Sequence, residues 1–261
     1  MTKNICITLI AVWFSVLSIA AQALNQTDAK GKKQGIWQYK WEETGQLKSE
    51  GAYKDGKKVG VWKYYYESGE LLVLKEFLED GITSNLKMYD ISGYKIAEGL
   101  YVKDKREGTW YYYGADSLKI GEEIYKNGVK NGLEKTFYRG TGKLYQQVMF
   151  VNGKKEGIYK QYFESGVLKR DATYKNDTLE GKVMYYHPNT KKLMEGTYVK
   201  GLRNGEFNYY DESGKLIETL HYRMGKLRED DYKRHLSGEI KVTYPEDIIY
   251  EGIPGMDPGG N

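Results

Sequence analysis

Residues 60–81 read Gly-Val-Trp-Lys-Tyr-Tyr-Tyr-Glu-Ser-Gly-Glu-Leu-Leu-Val-Leu-Lys-Glu-Phe-Leu-Glu-Asp-Gly, and this stretch decides the fold. Its first part, Trp62-Lys63-Tyr64-Tyr65-Tyr66, is rich in aromatic residues that favour a pleated surface over a helix. Ser68-Gly69 then marks a tight turn. An apolar run from Leu71 to Phe77 follows, and Asp80-Gly81 marks a second turn of the kind that closes hairpins. Leu71 and Phe77 are six residues apart, an even spacing that puts both side chains on one face of a strand. Trp62, Tyr64 and Tyr66 likewise share a face, with Tyr65 on the other. Short strands joined by short turns must lie antiparallel.

The same unit recurs along most of the chain. An aromatic returns at Tyr53, Phe77, Tyr101, Tyr125, Phe150, Tyr174, Tyr198 and Tyr222, at intervals of 24 residues with a single interval of 25. Glycines keep the same beat at Gly35, Gly60, Gly108, Gly132, Gly157, Gly181 and Gly205, blurred near Asn85. Turn pairs recur as Ser92-Gly93, Ser165-Gly166 and Ser213-Gly214, and as Asp55-Gly56, Asn127-Gly128 and Asn152-Gly153. A fixed period of this length is the signature of a repeat architecture, in which each unit is stabilised by its neighbours. The expectation is an all-β protein: an elongated antiparallel β-meander of about eight 24-residue hairpin repeats, forming a twisted, open, single-layer sheet of about 16 strands. The regular repeats span about 31–228 of a repeat domain at 24–252. Residues 229–252 read as a degenerate terminal unit that keeps the Ser237-Gly238 turn, and 253–261 as a disordered Pro/Gly tail.

Residues 1–23 differ from all of this. Lys3 precedes an uncharged apolar stretch from Ile5 to Ala21, and Ala21 and Ala23 flank Gln22. That order predicts a secretory signal peptide cleaved after Ala23, and so export to the periplasm, cell envelope or exterior. Left uncleaved, the segment would act as a membrane anchor, and no later segment could span a bilayer. Cleavage removes Cys6, the one cysteine, and with it thiol chemistry.

Composition narrows the function further. With 40 Lys and Arg against 36 Asp and Glu, the formal net charge is only +4, which argues against nucleic acid as a partner. One cysteine and 3 histidines exclude a disulfide scaffold or zinc-finger array. His187, His221 and His235 lie on different hairpins without metal-ligand spacing. No nucleophile elbow, phosphate-binding loop or dinucleotide fingerprint is present, so no catalytic, metal or cofactor residues are assigned and a non-enzymatic role is expected. Carboxylates at Glu50, Glu98, Glu122, Asp171 and Glu195 precede the recurring aromatic by three residues, hence on the opposite face. They are expected to alternate with lysines such as Lys57, Lys130 and Lys154 and keep the sheet soluble. Lys32-Lys33, Lys57-Lys58 and Lys154-Lys155 sit at turns and read as solvated. The candidate binding surface is the aromatic row Trp37, Trp62, Tyr64, Trp110 and Tyr112, since exposed aromatic patches mark recognition sites.

One string recurs as a motif. Glu50-Gly51-Ala52-Tyr53 leads through Gly56 and Gly60 to Trp62; Glu98-Gly99-Leu100-Tyr101 leads to Gly108 and Trp110; Glu195-Gly196-Thr197-Tyr198 leads through Gly201 and Gly205 to Phe207. This spacing resembles the MORN repeat, and in particular the bacterial MORN-variant family, many of whose members carry the label of YwqK-type antitoxins. The resemblance implies a sheet of hairpins used for protein or membrane-lipid contact, with no catalytic residues. The expected function is an exported scaffold that binds a protein or an envelope component, lipid or glycan. Two alternatives stand beside it: an antitoxin or immunity role, and a carbohydrate-binding module using the aromatic rows.

Overall fold

The computed structural model describes residues 23–239. The signal peptide lies almost wholly outside the described residues, as do the tail and most of the terminal unit. The chain forms one open antiparallel sheet of 20 strands with a single short helix. Each strand pairs with its neighbours in sequence, from Lys33–Lys40 against Leu47–Lys54 at one end to Gly205–Tyr210 against Leu216–Arg223 at the other. This is the meander expected. The excess over 16 arises because two strands are split, Val129–Lys130 from Gly132–Phe137 and Leu202–Arg203 from Gly205–Tyr210, and because short strands Gln26–Thr27 and Lys226–Leu227 line the two ends.

Hairpin chemistry sets the register. At Asp55-Gly56, Asn127-Gly128 and Asn152-Gly153 both residues have positive φ, for example 52° and 84° at Asn127 and Gly128. These are type I′ turns, whose twist matches that of the flanking strands. The beat glycines sit at bulges instead: Glu50 pairs with Lys63 while Ala52 pairs with Val59, so the Gly60 strand carries extra residues and bends.

The two faces differ. One face carries the file of buried rings, and the other most of the ion pairs together with tyrosines such as Tyr65, Tyr113 and Tyr210. Down the middle of the aromatic face, side chains from successive strands meet in single file: Tyr159, Ala172 and Val183 are paired directly, as are Phe207 and Leu220. On the opposite face a second file is ionic. Glu50 meets Lys63, Glu98 meets Lys95, Glu122 meets Lys119 and Lys135, Asp171 meets Lys160, and Glu195 meets Lys192. The carboxylates lie where their spacing put them, but their partners are strand lysines rather than Lys57, Lys130 or Lys154. Tyr65 and Tyr210 donate to Glu50 and Glu195 at 2.8 and 2.6 Å. Lys192 and Tyr210 hold the Glu195 carboxyl below the usual carboxylate range.

The segment after Arg228 departs from expectation. Glu229–Leu236 is an α-helix rather than another hairpin strand. Its first turn carries Glu229, Asp230 and Asp231 and its last Lys233, Arg234 and His235, an order that complements the helix dipole. Gly238 ends the helix instead of turning a hairpin, and Asp231 accepts the backbone N–H of His221 at 2.8 Å. The helix thus satisfies a donor on the last full strand, where a bare sheet edge would invite pairing with another chain.

Candidate binding surface

The aromatic face solves a problem that every single-layer sheet has: nothing lies above it. Trp62, Trp110 and Phe207 are nevertheless 0 % exposed. Each lies in a box built from its own repeat. Below Trp62 is Gly51, whose missing side chain leaves room for the indole, and any methyl there would overlap the ring. Tyr53 stands edge-on at 5.0 Å, and Tyr39 and Tyr64 flank it at 6.3 Å. The Lys58 ammonium covers it at 4.3 Å, and the indole N–H donates to the Ala52 carbonyl at 3.0 Å. Trp110 repeats the arrangement with Gly99, Tyr101, Arg106 and the Leu100 carbonyl. Phe207 does so with Gly196, Tyr198, Tyr222 and Arg203. Burying such a ring removes roughly 150–250 Å² from water, an upper bound of about 4–6 kcal/mol.

This corrects the candidate surface. Trp37, Trp62, Tyr64, Trp110 and Tyr112 do share one face, but Trp62 and Trp110 are enclosed and offer no ring to a ligand. The cause is the cation, which occupies the ring face that a ligand would need. Trp37 is half-buried, because only the short strand Gln26–Thr27 precedes it; its indole N–H points to the Gln26 and Gln34 carbonyls. Tyr64 and Tyr112 are half-buried, their hydroxyls bonded to Lys58 and to Arg106 and Glu123.

What sequence reasoning missed is the cation row itself. Lys33, Lys58, Arg106, Lys130, Lys155 and Arg203 each sit two residues before a beat glycine, and each stacks over a ring at 4.3–5.3 Å. Where the beat is blurred, Lys75 reaches over Phe77 and Tyr101 from the adjacent strand. Three of these are the second members of the lysine pairs read as solvated turns. Their stems lie along the sheet, while the first members stay exposed. The spacing was available in the sequence as the same 24-residue beat.

The fifth unit breaks the apolar file. Glu134 stands where Trp110 stands in the fourth, and Glu123 where Gly99 does. Lys130 bridges both carboxylates at 2.5 Å, and the Tyr112 and Tyr125 hydroxyls donate to Glu123. Burial alone would raise the Glu123 carboxyl, but Lys130 and the two hydroxyls outweigh it and hold it below its ordinary value. The same pattern leaves two separate apolar clusters, one around Leu86, Trp110 and Tyr125, the other running from Val148 to Tyr222.

On the ionic face three shallow depressions of 350, 400 and 430 Å³ recur at the same place in the repeat, beside Glu50-Gly51, Glu98-Gly99 and Glu195-Gly196. Among the described residues no three His, Cys, Asp or Glu side chains converge as a metal requires, and no helix is long and apolar enough to cross a membrane. His187 bonds the Tyr210 carbonyl, His221 faces Asp231, and His235 lies on the helix.

Residues 58–79, 155–176 and 203–224 match the MORN repeat variant. Each matched stretch opens on a ring-covering cation, Lys58, Lys155 or Arg203, and ends just past the recurring aromatic. The central ring is Trp62, Tyr159 or Phe207, so the matched stretches differ in the aromatic at that position. MORN repeats are generally protein- or membrane-binding modules, and not typically enzymes. No curated protein matches the chain.

Proposed function

We propose that this protein is an exported, non-enzymatic scaffold whose sheet surface holds a macromolecule of the cell envelope. The observation that supports it is the repetition of surface features. Most hairpins repeat the same cation, hydroxyl and carboxylate positions, and an array of similar shallow positions suits an extended partner better than a small substrate, which needs one enclosed pocket. Export rests on the Lys3, apolar stretch and Ala21-Gln22-Ala23 order at the N-terminus.

Two measurements test the reading. A reporter that is active only outside the cytoplasm, fused after Asn25, should become active, and deletion of residues 5–21 should silence it. Cross-linking in intact cells through a photoreactive residue at Lys63 or Lys155, on opposite faces, should capture an envelope component from one face only. Capture from neither face, or turnover of a substrate by the purified protein, overturns it.

A further inference from the structure

The lysines of the two faces are treated differently. On the ionic face Lys63, Lys95, Lys119, Lys135, Lys160 and Lys192 all meet carboxylates. On the aromatic face Lys75 and Lys130 meet carboxylates too, Asp104 and the Glu123–Glu134 pair, but Lys33, Lys58, Arg106 and Lys155 meet none among the described residues, although all four are half-buried. They are held instead by ring faces and by hydroxyls: Lys33 donates to Tyr39 at 2.7 Å, Lys58 to Tyr64 at 2.8 Å, and Arg106 to Tyr112 and Tyr125 at 3.1 and 2.9 Å. A charge partly withdrawn from water with no counter-charge is costly unless something supplies one. These cations are also fixed in place, so an incoming anion orders no flexible side chain on binding.

Their spacing limits the anion. Lys33 and Lys58 lie two strands apart, about 9.6 Å, while Arg106 and Lys155 each follow after four strands, about 19 Å, or twice that step. Phosphates in a nucleic acid strand are far denser, about one per 3.4 Å. Sheet twist of roughly 20–25° per strand turns the face through more than a right angle between Lys33 and Arg106, so a planar bilayer meets only one or two cations at once. A linear chain can follow the turn. An extended β-linked glycan with a carboxylate on alternate sugars advances by about the Lys33–Lys58 step per disaccharide, and by two disaccharides over each of the longer gaps. The Tyr64 hydroxyl, which accepts from Lys58, keeps its own proton for a sugar oxygen.

We infer that the cation row Lys33, Lys58, Arg106 and Lys155 on the aromatic face is a binding track for a linear acidic polysaccharide, Lys33 and Lys58 taking carboxylates of successive disaccharides and Arg106 and Lys155 those two disaccharides further along each time. This rests on the scaffold reading above and names its ligand class. The rings act beneath the cations, not as stacking platforms for sugars.

The test is calorimetric titration with hyaluronan fragments of increasing length, which carry one carboxylate per disaccharide, against neutral dextran and phosphatidylglycerol vesicles. Affinity should rise with fragment length until several cations are spanned and should fall steeply with salt. Lys33→Gln with Lys58→Gln should weaken binding about tenfold or more. Lys32→Gln with Lys57→Gln removes the same charge one residue away and should change it less than about twofold. Lys33→Arg with Lys58→Arg should retain binding and, with the length and salt dependence of the unaltered protein, decides the matter if the glutamine pair fails to fold. No hyaluronan binding, equal losses in the two glutamine pairs, or binding to the vesicles alone would overturn the inference. The scaffold reading survives those results if an envelope component is still captured in cells, and falls separately if none is.

Discussion

Replacing Gly99 with alanine tests the packing scheme directly. The new methyl overlaps the Trp110 indole, which is fully buried and has no empty space to enter. The ring must tilt away, at about 1–3 kcal/mol for overpacking, and its N–H loses the 3.1 Å bond to the Leu100 carbonyl, at about 1–3 kcal/mol for a buried unmatched pair. The central expectation is about 4 kcal/mol, which for a domain of this size lowers the melting temperature by about 8–16 °C. The chain contains its own remedy, because at the same register site Ala172 faces Val183. Gly99→Ala combined with Trp110→Val copies that pair. Trp110→Val alone should cost about 3 kcal/mol for the cavity, and the double variant should be milder than the sum by at least about 1 kcal/mol. Urea and thermal unfolding of the four proteins measure the cycle. A loss under about 1 kcal/mol for Gly99→Ala, or strict additivity, would refute the idea that residue size is matched across this site.

Other consequences are open to measurement. Asp231→Ala removes the acceptor for the His221 N–H and should destabilise by about 1–3 kcal/mol and promote self-association on size-exclusion chromatography. Glu123 has a lowered folded pKa, so its contribution is present above the ordinary carboxylate pKa of about 4.3 and is lost as pH falls below it; Glu123→Gln should flatten the acid limb of stability against pH. Tyr159 is pushed up to about 12 by burial, so the folded state holds that proton more tightly; stability should be intact below about pH 10 and fall between pH 10 and 12, in step with phenolate absorbance. Glu195→Gln, on the half-exposed ionic face, should cost less than about 1 kcal/mol by the same urea assay.

The meander was legible because aromatic strands, turn pairs and an even spacing recur with little variation, and each is a local property. The unevenness of the aromatic surface was not. Trp62 looks available on its strand, and its enclosure depends on Gly51 across the strand pair and Lys58 along its own. The motif string shows that Gly51, Gly99 and Gly196 recur but not why: they are mid-strand positions kept small for a neighbouring ring. The helix at Glu229–Leu236 was hidden because Ser237-Gly238 mimics a hairpin turn, and only the acidic-to-basic order of the preceding residues distinguishes the two. Glu134 at a tryptophan position was visible in the sequence, but its pairing through Lys130 needed the fold.

The Glu123–Lys130–Glu134 cluster bears on how the molecule comes apart. Repeat arrays transmit order through neighbour contacts, and here the charged cluster separates the apolar group around Trp110 from the long one that runs from Val148 to Tyr222. The segments before Glu123 and after Glu134 should therefore open as separate cooperative blocks, with amide exchange in Gly132–Phe137 faster than in Lys105–Tyr113 or Lys154–Tyr162. Under tension or in acid the ribbon yields first at its charged waist, leaving two intact halves free to swivel about it.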